Sequence, residues 1–333
     1  MTDFENLFAG FSTAKVAVIG DVMLDTYLWG KVERISPEAP VPVVSLLHKD
    51  YRLGGAANVA LNLRALGAQV SVFSVIGDDD DGSLLQKRFD DEGIETAYLL
   101  RSYKRITTNK SRIISRNQQM MRLDAEITTD LEQDDRDRLV SALQKWIETE
   151  APAVVVLEDY NKGVLTEEVI TAIIEICNRH GVITTVDPKR KNFFAYKGTS
   201  IFKPNLKEVR EALNLLSDDT SANALQQIHA LLHAQLHHQI SLITLSEKGV
   251  FYQQQTASRI VHSHVRNISD VSGAGDTVIA VASLVYAATK NIDLMAEIAN
   301  IAGGLVCEEV GTVAINKERL LEECKLLLAG AGR

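Results

Sequence analysis

Asp270-Val271-Ser272-Gly273-Ala274-Gly275-Asp276-Thr277-Val278 sets a small glycine-rich turn directly before an apolar run that continues to Tyr286. If that run is a helix, its N-terminus presents unpaired backbone N–H groups and the positive end of the dipole, which attract anions. Gly273 and Gly275 let an anion approach the backbone closely. Asp276 is the odd member, because a carboxylate repels a phosphate bound there unless it has other work. Accepting the proton of a hydroxyl that attacks the phosphate is such work. An anion hole with a base beside it is a phosphoryl-transfer site in outline. Read alone, the string also fits an ordinary capped helix, since short glycine motifs are common.

Five further groups carry polar chemistry. Gly20-Asp21-Val22-Met23-Leu24-Asp25 follows an apolar run and puts Asp21 and Asp25 where open α/β sheets hold ligands; carboxylates suit sugar hydroxyls, and a solvated turn is the alternative. Gly54 and Gly55 let a ligand lie against the backbone and Asn58 offers a donor and an acceptor, unless the segment is only a turn into the next helix. If 106–114 is a strand, Lys110 and Arg112 share one face, with Arg122 following; these cations suit a substrate phosphate or form a solvated strand face. Asp159 ends another apolar run, and Lys162 either pairs with it or meets a phosphate. Asn205 is placed to cap a helix beginning near Leu206, with Glu208 in its first turn. A sixth string, Thr244 to Gly249, reads as a turn. His229, His233, His237 and His238 read as a surface cluster, because third and fourth zinc ligands are not identifiable.

These groups need a scaffold, and the hydrophobic pattern supplies one. Short apolar runs at 15–19, 70–76, 153–157, 182–186 and 241–245 predict buried strands. Amphipathic stretches at 56–66, 83–92, 131–148, 166–179 and 222–234 predict helices between them, followed by helices at 276–288, 293–308 and 317–328. This alternation implies a mostly parallel sheet with helices on both faces, and a single domain over 1–333. Segments 27–53 and 105–123 break the rhythm with β-branched residues and prolines. They predict a small β-sheet that closes over the site as a lid, pairs with a second subunit, or is a plain surface hairpin.

Composition excludes some functions. Hydrophobic residues make up 46% of the 333 residues, enough for a substantial core, and the net charge is -9. Acids outnumber bases 44 to 35, which argues against nonspecific nucleic-acid binding. Three cysteines with no paired spacing suggest a reducing compartment and no metal cluster. No run reaches about 18 apolar residues and the first residues lack a leader pattern, so no membrane span is expected and the cytoplasm is the expected location.

The Asp270–Val278 string closely resembles the C-terminal signature of the ribokinase-like (PfkB) carbohydrate kinases, and Gly54-Gly55-Ala56-Ala57-Asn58 resembles their N-terminal signature. The resemblance covers nearly the whole chain. It is sharpest to the D-glycero-β-D-manno-heptose 7-phosphate kinases at 20–27, 34–43, 54–60, Thr108-x-Lys110-x-Arg112, Gln119-x-x-Arg122-x-Asp124, Asp159-Tyr160-x-Lys162-Gly163 and Val186-Asp187-Pro188-Lys189. It departs at Glu158, where a smaller residue is common, and at Ser272, where Thr is common. The resemblance implies a ribokinase-like three-layer α/β sandwich with a β lid and ATP-dependent phosphorylation of the anomeric C1 hydroxyl, feeding ADP-heptose and lipopolysaccharide precursor synthesis. It implies Asp276 as base; Gly273, Ala274 and Gly275 as anion hole; and Asp21, Asp25, Gly54, Gly55, Asn58 and Asp159 against the sugar. Lys110, Arg112, Arg122 and Lys162 would serve the sugar phosphate side. Asn205 and Glu208 would organise Mg²⁺ through water, while Ser246, Gly249, Asn300 and Gly303 line the nucleotide site. A homodimer through the lid, a monovalent cation such as K⁺ near Asp270, and the stand-alone kinase arrangement are further expectations. The alternatives are another sugar kinase of the family and a sugar-binding regulator on the same fold; a dehydrogenase is disfavoured because no G-x-G-x-x-G follows the first strand.

Overall fold

The first apolar run shows why the chain folds in layers. Along Lys15–Gly20 (β1), Val16 and Val18 enter one core while Ala17 and Ile19 enter another, because strand side chains alternate. The computed structural model describes residues 2–328 apart from 117 and 265. The remaining strands are Val22–Ile35 (β2), Pro42–Gly55 (β3), Gln69–Gly77 (β4), Leu99–Ser102 (β5), Asn109–Ser115 (β6), Gln118–Ala125 (β7), Val154–Glu158 (β8), Ile183–Asp187 (β9), Ile201–Phe202 (β10), Ile240–Thr244 (β11), Val250–Gln254 (β12) and Ala257–Val261 (β13). The helices are Phe4–Gly10 (α1), Ala56–Ala65 (α2), Asp80–Asp91 (α3), Gln133–Glu150 (α4), Glu167–His180 (α5), Leu206–Leu213 (α6), Ala222–Leu236 (α7), Ala274–Thr289 (α8), Ile292–Val306 (α9) and Lys317–Leu328 (α10).

The large sheet has the order β13-β12-β11-β10-β9-β8-β1-β4-β5. It is parallel from β11 to β5, and the last two strands on the other edge, β12 and β13, are antiparallel. One face packs against α2, α8 and α9, and the other against α4, α5 and α7. This is the sandwich that the alternating pattern predicts. β5, β10, β12, β13 and α1 have no sequence assignment above. β10 has only two residues, and β12 and β13 are polar at one end, so none carries a long apolar run.

The small sheet has the order β3-β2-β6-β7. It starts earlier than expected, at Val22, because β2 is one 14-residue strand that leaves the large sheet's edge of the site and continues outward against β3. Residues 105–108 are loop and not strand: the Asp79 carboxylate accepts the Thr107 N–H and hydroxyl and holds the segment against α3. The apolar side chains of Leu46, Leu47, Met121 and Leu123 lie exposed on this sheet.

The histidine expectation needs correction. His229 and His238 are buried and both contact the Ser241 hydroxyl, at 2.8 and 2.6 Å. Burial pushes their imidazoles down to about 4 and about 3, so they are neutral packing groups, while His233 and His237 remain exposed. The three cysteines are free and buried. Among the described residues, no helix is long and apolar enough to cross a membrane.

Gly20 lets β1 end flush against β8. A β-carbon there would collide with the Glu158 backbone carbonyl, which cannot move without disturbing the parallel pairing. Gly20→Ala is therefore expected to lower unfolding stability by at least ~2 kcal/mol in urea titration; an unchanged midpoint would show that the strand ends have room to separate.

Candidate active site

Open parallel sheets collect ligands at the carboxyl ends of their strands, where loops and helix N-termini converge. Here β1, β8, β9, β10 and β11 all deliver polar residues to that edge. The first turn of α8 closes over them. Gly273 caps α8 with φ 78°, a left-handed conformation that glycine adopts without strain. The Ala274 N–H is turned back onto the Val271 carbonyl at 3.3 Å. Among the described residues, the Gly273, Gly275 and Asp276 amides have no acceptor within the chain, which leaves them open to an anion.

Asp276 is buried, and its two oxygens have separate donors. The Asn58 side-chain amide donates to Oδ2 at 2.7 Å and the Tyr160 hydroxyl donates to Oδ1 at 2.8 Å. Burial pushes the Asp276 carboxyl up to about 6, with the Asp187 charge adding to the rise and the two hydrogen bonds opposing it. Asn58, expected against the sugar, is buried here with its side-chain amide on this carboxylate. Its partner Asn62 donates to the Asn58 carbonyl at 2.9 Å, and the Asn62 side-chain oxygen accepts from Thr277 and from the Ile315 N–H. α2, α8 and the segment before α10 are thereby locked around the Asp276 carboxylate.

Two other residues expected against the sugar, Asp21 and Asp159, have their oxygens bonded within the chain. The Asp21 oxygens accept the backbone N–H groups of Tyr160, Lys162 and Val164. Asp159 accepts from the Asn161 N–H and the Tyr196 hydroxyl, and burial pushes its carboxyl up to about 6. Both carboxylates are nearly inaccessible and hold the loop that carries Tyr160. Asp25 is different: Arg112 of β6 donates to it at 2.6 Å from across the small sheet. Gly54 makes room for that carboxylate, since a β-carbon would come within 2.6 Å of Asp25 Oδ2; Gly55 similarly lies against the Asp21 carbonyl. The Lys110 ammonium stands 5.4 Å from the centre of the Tyr160 ring, and burial lowers its affinity for a proton. Arg122 is exposed and bidentate on Asp124, and Lys162 pairs with Glu126 at 2.8 Å, so neither is an unpaired cation.

The other side of Asp276 opens into a cleft of about 650 Å³, within the range of small-molecule sites. Ser246, Gly249, Asn300 and Gly303 line it, together with Gly273 to Asp276. Asn300 is fixed by donating to the His262 carbonyl. Asn205 and Glu208 form a reciprocal capping box at the start of α6, and Glu208 also pairs with Lys189 at 2.8 Å. Their oxygens are hard donors beside the cleft but are already bonded, which fits Mg²⁺ held through its water shell and not direct ligation.

The residue-by-residue reading missed four groups here. Lys203 is almost wholly buried, lies 2.7 Å from Asp187, and projects beside Gly275. Lys189 bridges Asp187 and Glu208. Burial alone would raise the Asp187 carboxyl, but Lys189 and Lys203 hold it below the usual range. Tyr160 is the fourth; burial and then the Asp276 charge push its hydroxyl well up, so it remains a donor. All four lie inside or close to residues named above, Asp159-Tyr160, Val186-Asp187-Pro188-Lys189 and Asn205. Their position at strand ends was the available signal.

Comparisons with known proteins agree with this geometry. The family profile described as pfkB family carbohydrate kinase matches residues 13–319. A protein named bifunctional protein HldE from Geotalea uraniireducens is 39% identical over 325 residues, covering 96% of this chain and 65% of the relative. One of the same name from Methylobacillus flagellatus is 40% identical over 320 residues, covering 94% and 64%. The chain thus spans less than two thirds of the length of these relatives. Among solved structures, phosphofructokinase-2 from Escherichia coli in complex with potassium superposes with a TM-score of 0.79 at 18% identity, covering 95% of this chain and 99% of that one. Ribokinase from Arabidopsis thaliana, complexed with ribose and ATP, gives 0.72 at 16% identity, covering 93% and 99%. At these identities the structures show the shared fold.

The raised Asp276 carboxyl has a consequence for stability. Its folded form holds a proton to about pH 6, whereas an unfolded aspartate releases it near 3.8. Between those values the folded chain binds more protons, so its stability falls as pH rises and the full cost persists above about 6. Asp276→Asn removes this slope. Urea titrations at pH 4 and pH 7 should show the wild type losing up to ~3 kcal/mol relative to the variant; parallel curves would mean that Asp276 titrates as an ordinary carboxylate.

Proposed function

The chain belongs to the pfkB family of carbohydrate kinases, and from that premise we propose that it transfers the γ-phosphoryl group of ATP to the anomeric C1 hydroxyl of D-glycero-β-D-manno-heptose 7-phosphate. The observation that carries the reading is the buried Asp276 carboxylate at the open end of α8, held by Asn58 and Tyr160 between the cleft and the small sheet. The product is the 1,7-bisphosphate, a precursor for ADP-heptose and lipopolysaccharide synthesis in this reading.

The steps assigned to the chain are positional and electrostatic. The sugar lies between β2, β3 and the Tyr160 loop, with its hydroxyls on Asp25 and the Gly54–Gly55 backbone. Lys110 and Arg112 face its phosphate. Arg112 shares its guanidinium with Asp25, which orients it toward that end. Asp276 takes the C1 hydroxyl proton as the hydroxyl oxygen bonds to the γ-phosphorus and the bond to the ADP oxygen breaks. The Gly275 and Asp276 amides and the Lys203 ammonium face the charge on the transferring group. Asn205 and Glu208 would hold Mg²⁺ through water, and the ion would supply charge neutralisation for the phosphates. Ser246, Gly249, Asn300 and Gly303 take the nucleoside side.

The same reading includes one kinase domain over 1–333, with the small sheet as its lid. The exposed Leu46, Leu47, Met121 and Leu123 favour burial of that sheet against a second copy. A monovalent cation belongs beside Asp270, whose carboxylate braces Ser272 and the Gly311 N–H near the anion hole.

Phosphorus NMR with ATP and Mg²⁺ tests the substrate. A new anomeric phosphate is expected with the heptose 7-phosphate and not with fructose 1-phosphate, fructose 6-phosphate or ribose; turnover of another sugar instead would discard the heptose. Asp276→Asn should lose about 10²–10⁴ of turnover while still binding ATP, and near-normal turnover would remove Asp276 as base. In the wild type kcat/KM should rise with pH through about 6 as Asp276 ionises. Arg112→Ala should raise the KM for the sugar phosphate far more than that for ATP; equal increases would count against its role.

A further inference from the structure

We propose that the cavity between the start of α5, the end of α7 and the turn that follows β9 is a second ligand site, for a small hydroxyl-rich phosphomonoester, coupled to the active site through residues 189–196. The cavity measures about 470 Å³, a volume suited to a small molecule. It shares no lining residue with the cleft beside Asp276. It lies on the sheet face that carries α4, α5 and α7, where Phe193 joins their core.

The cations of the lining come from one short stretch. Arg190 and Lys191 belong to the 3₁₀ turn Arg190–Asn192, and Lys197 follows. All three are exposed, and among the described residues only Lys191 of the three has an acidic partner, Asp130 at 2.6 Å. In a chain of net charge -9, cations gathered without matching acids attract an anion. Guanidinium and ammonium donors suit a phosphate, the guanidinium through paired N–H bonds. The helices supply the other walls, with Glu167 of α5 and Gln235 of α7. A carboxylate repels a bare anion but accepts from hydroxyls, so these walls fit the hydroxyl-rich part of the ligand. Phe194 adds an aromatic surface, half-buried against Phe193 with ring centres 5.2 Å apart.

The stretch is anchored, so the cavity is preformed. Phe193 and Tyr196 are buried, the Asn192 side chain donates to the Leu165 carbonyl at 2.7 Å, and the Gly198 N–H donates to the Leu236 carbonyl at 2.7 Å. Both ends of the stretch reach the active site. Lys189, directly before Arg190, bridges Asp187 and Glu208 and lines the cleft beside Asp276. The Tyr196 hydroxyl donates to Asp159 at 2.8 Å, and Asp159 holds the loop that carries Tyr160. A phosphate gripped by Arg190 and Lys197 loads the stretch between them, and the load reaches Lys189 and Tyr196. Ligands of the cavity and of the cleft then change each other's affinity by the same factor. This coupling rests on the cleft being the nucleotide site; binding in the cavity does not.

The test is calorimetric titration of the full chain with glucose 6-phosphate and with ribose 5-phosphate. At least one is expected to bind at one equivalent. Arg190→Gln combined with Lys197→Gln should weaken it about tenfold or more; both positions are exposed, so the fold is kept. Arg112→Ala should bind the probe as the wild type does, which separates the cavity from the active site. Glucose should not bind, and inorganic phosphate should bind more weakly than the sugar phosphate. A saturating probe should change the affinity for a non-hydrolysable ATP analogue about fivefold or more in the wild type and not in the double variant. The site is overturned if neither probe binds, if the double variant binds as tightly as the wild type, or if Arg112→Ala abolishes binding. Inorganic phosphate binding as tightly as the better probe overturns the hydroxyl-rich class. Unchanged analogue affinity overturns the coupling. An analogue that does not bind at all overturns the nucleotide reading of the cleft and the coupling with it, but not the site.

Discussion

A carboxylate buried at the start of a helix is the constraint around which this molecule is arranged. In the proposed role of base, Asp276 has to be out of water to be a strong acceptor and has to keep its charge when the proton leaves. Those demands conflict, because burial disfavours the charge. The fold reconciles them with two fixed donors, Asn58 from α2 and the Tyr160 hydroxyl from the loop after β8, and with the positive end of α8. Each donor is itself braced. Asn62 supports Asn58 and ties in Thr277 and Ile315, while Asp21 gathers three backbone amides to shape the Tyr160 loop. The most polar residues near the site are therefore scaffolding for one carboxylate.

A second layer of charge lies on the cleft side. Lys203 and Lys189 are held by Asp187 at the end of β9, and Lys189 passes the connection to Glu208 in the capping box of α6. Buried cations of this kind are costly without partners, and removing one partner leaves an uncompensated charge. The pairing fixes two ammonium groups beside the anion hole without letting them collapse onto Asp276. Positioning charge in a site that excludes water makes each electrostatic contact stronger than in solution.

The small sheet brings the third set of groups. β2 runs continuously from the site edge into that sheet, so Asp25 on β2 and Arg112 on β6 meet across paired strands. Arg52 of β3 reaches the carbonyls of Val310 and Thr312 and stacks on Tyr27, linking the sheet to the segment that follows α9. Through these contacts the sheet is tied to both ends of the site, while its apolar outer residues remain exposed.

Much of this was legible in the residues alone. Apolar runs such as 15–19 and 153–157, alternating with amphipathic stretches, implied a parallel sheet covered by helices on both faces. Gly273 before an apolar run marked a helix start, and Asn205 with Glu208 read directly as a cap, because these are local effects of backbone geometry. What the residues could not decide was the partner of each polar side chain. Asp21, Asn58 and Asp159 look like ligand groups in a string, yet they face Tyr160, Asp276 and Tyr196 from 37 to 218 positions away in the chain. Lys203 and Asp187 meet only because β9 and β10 are neighbours in the sheet. Periodicity and capping act over a few residues and are written in the sequence; hydrogen-bond partners, burial and the resulting shifts in proton affinity come from strands and helices brought together by the fold.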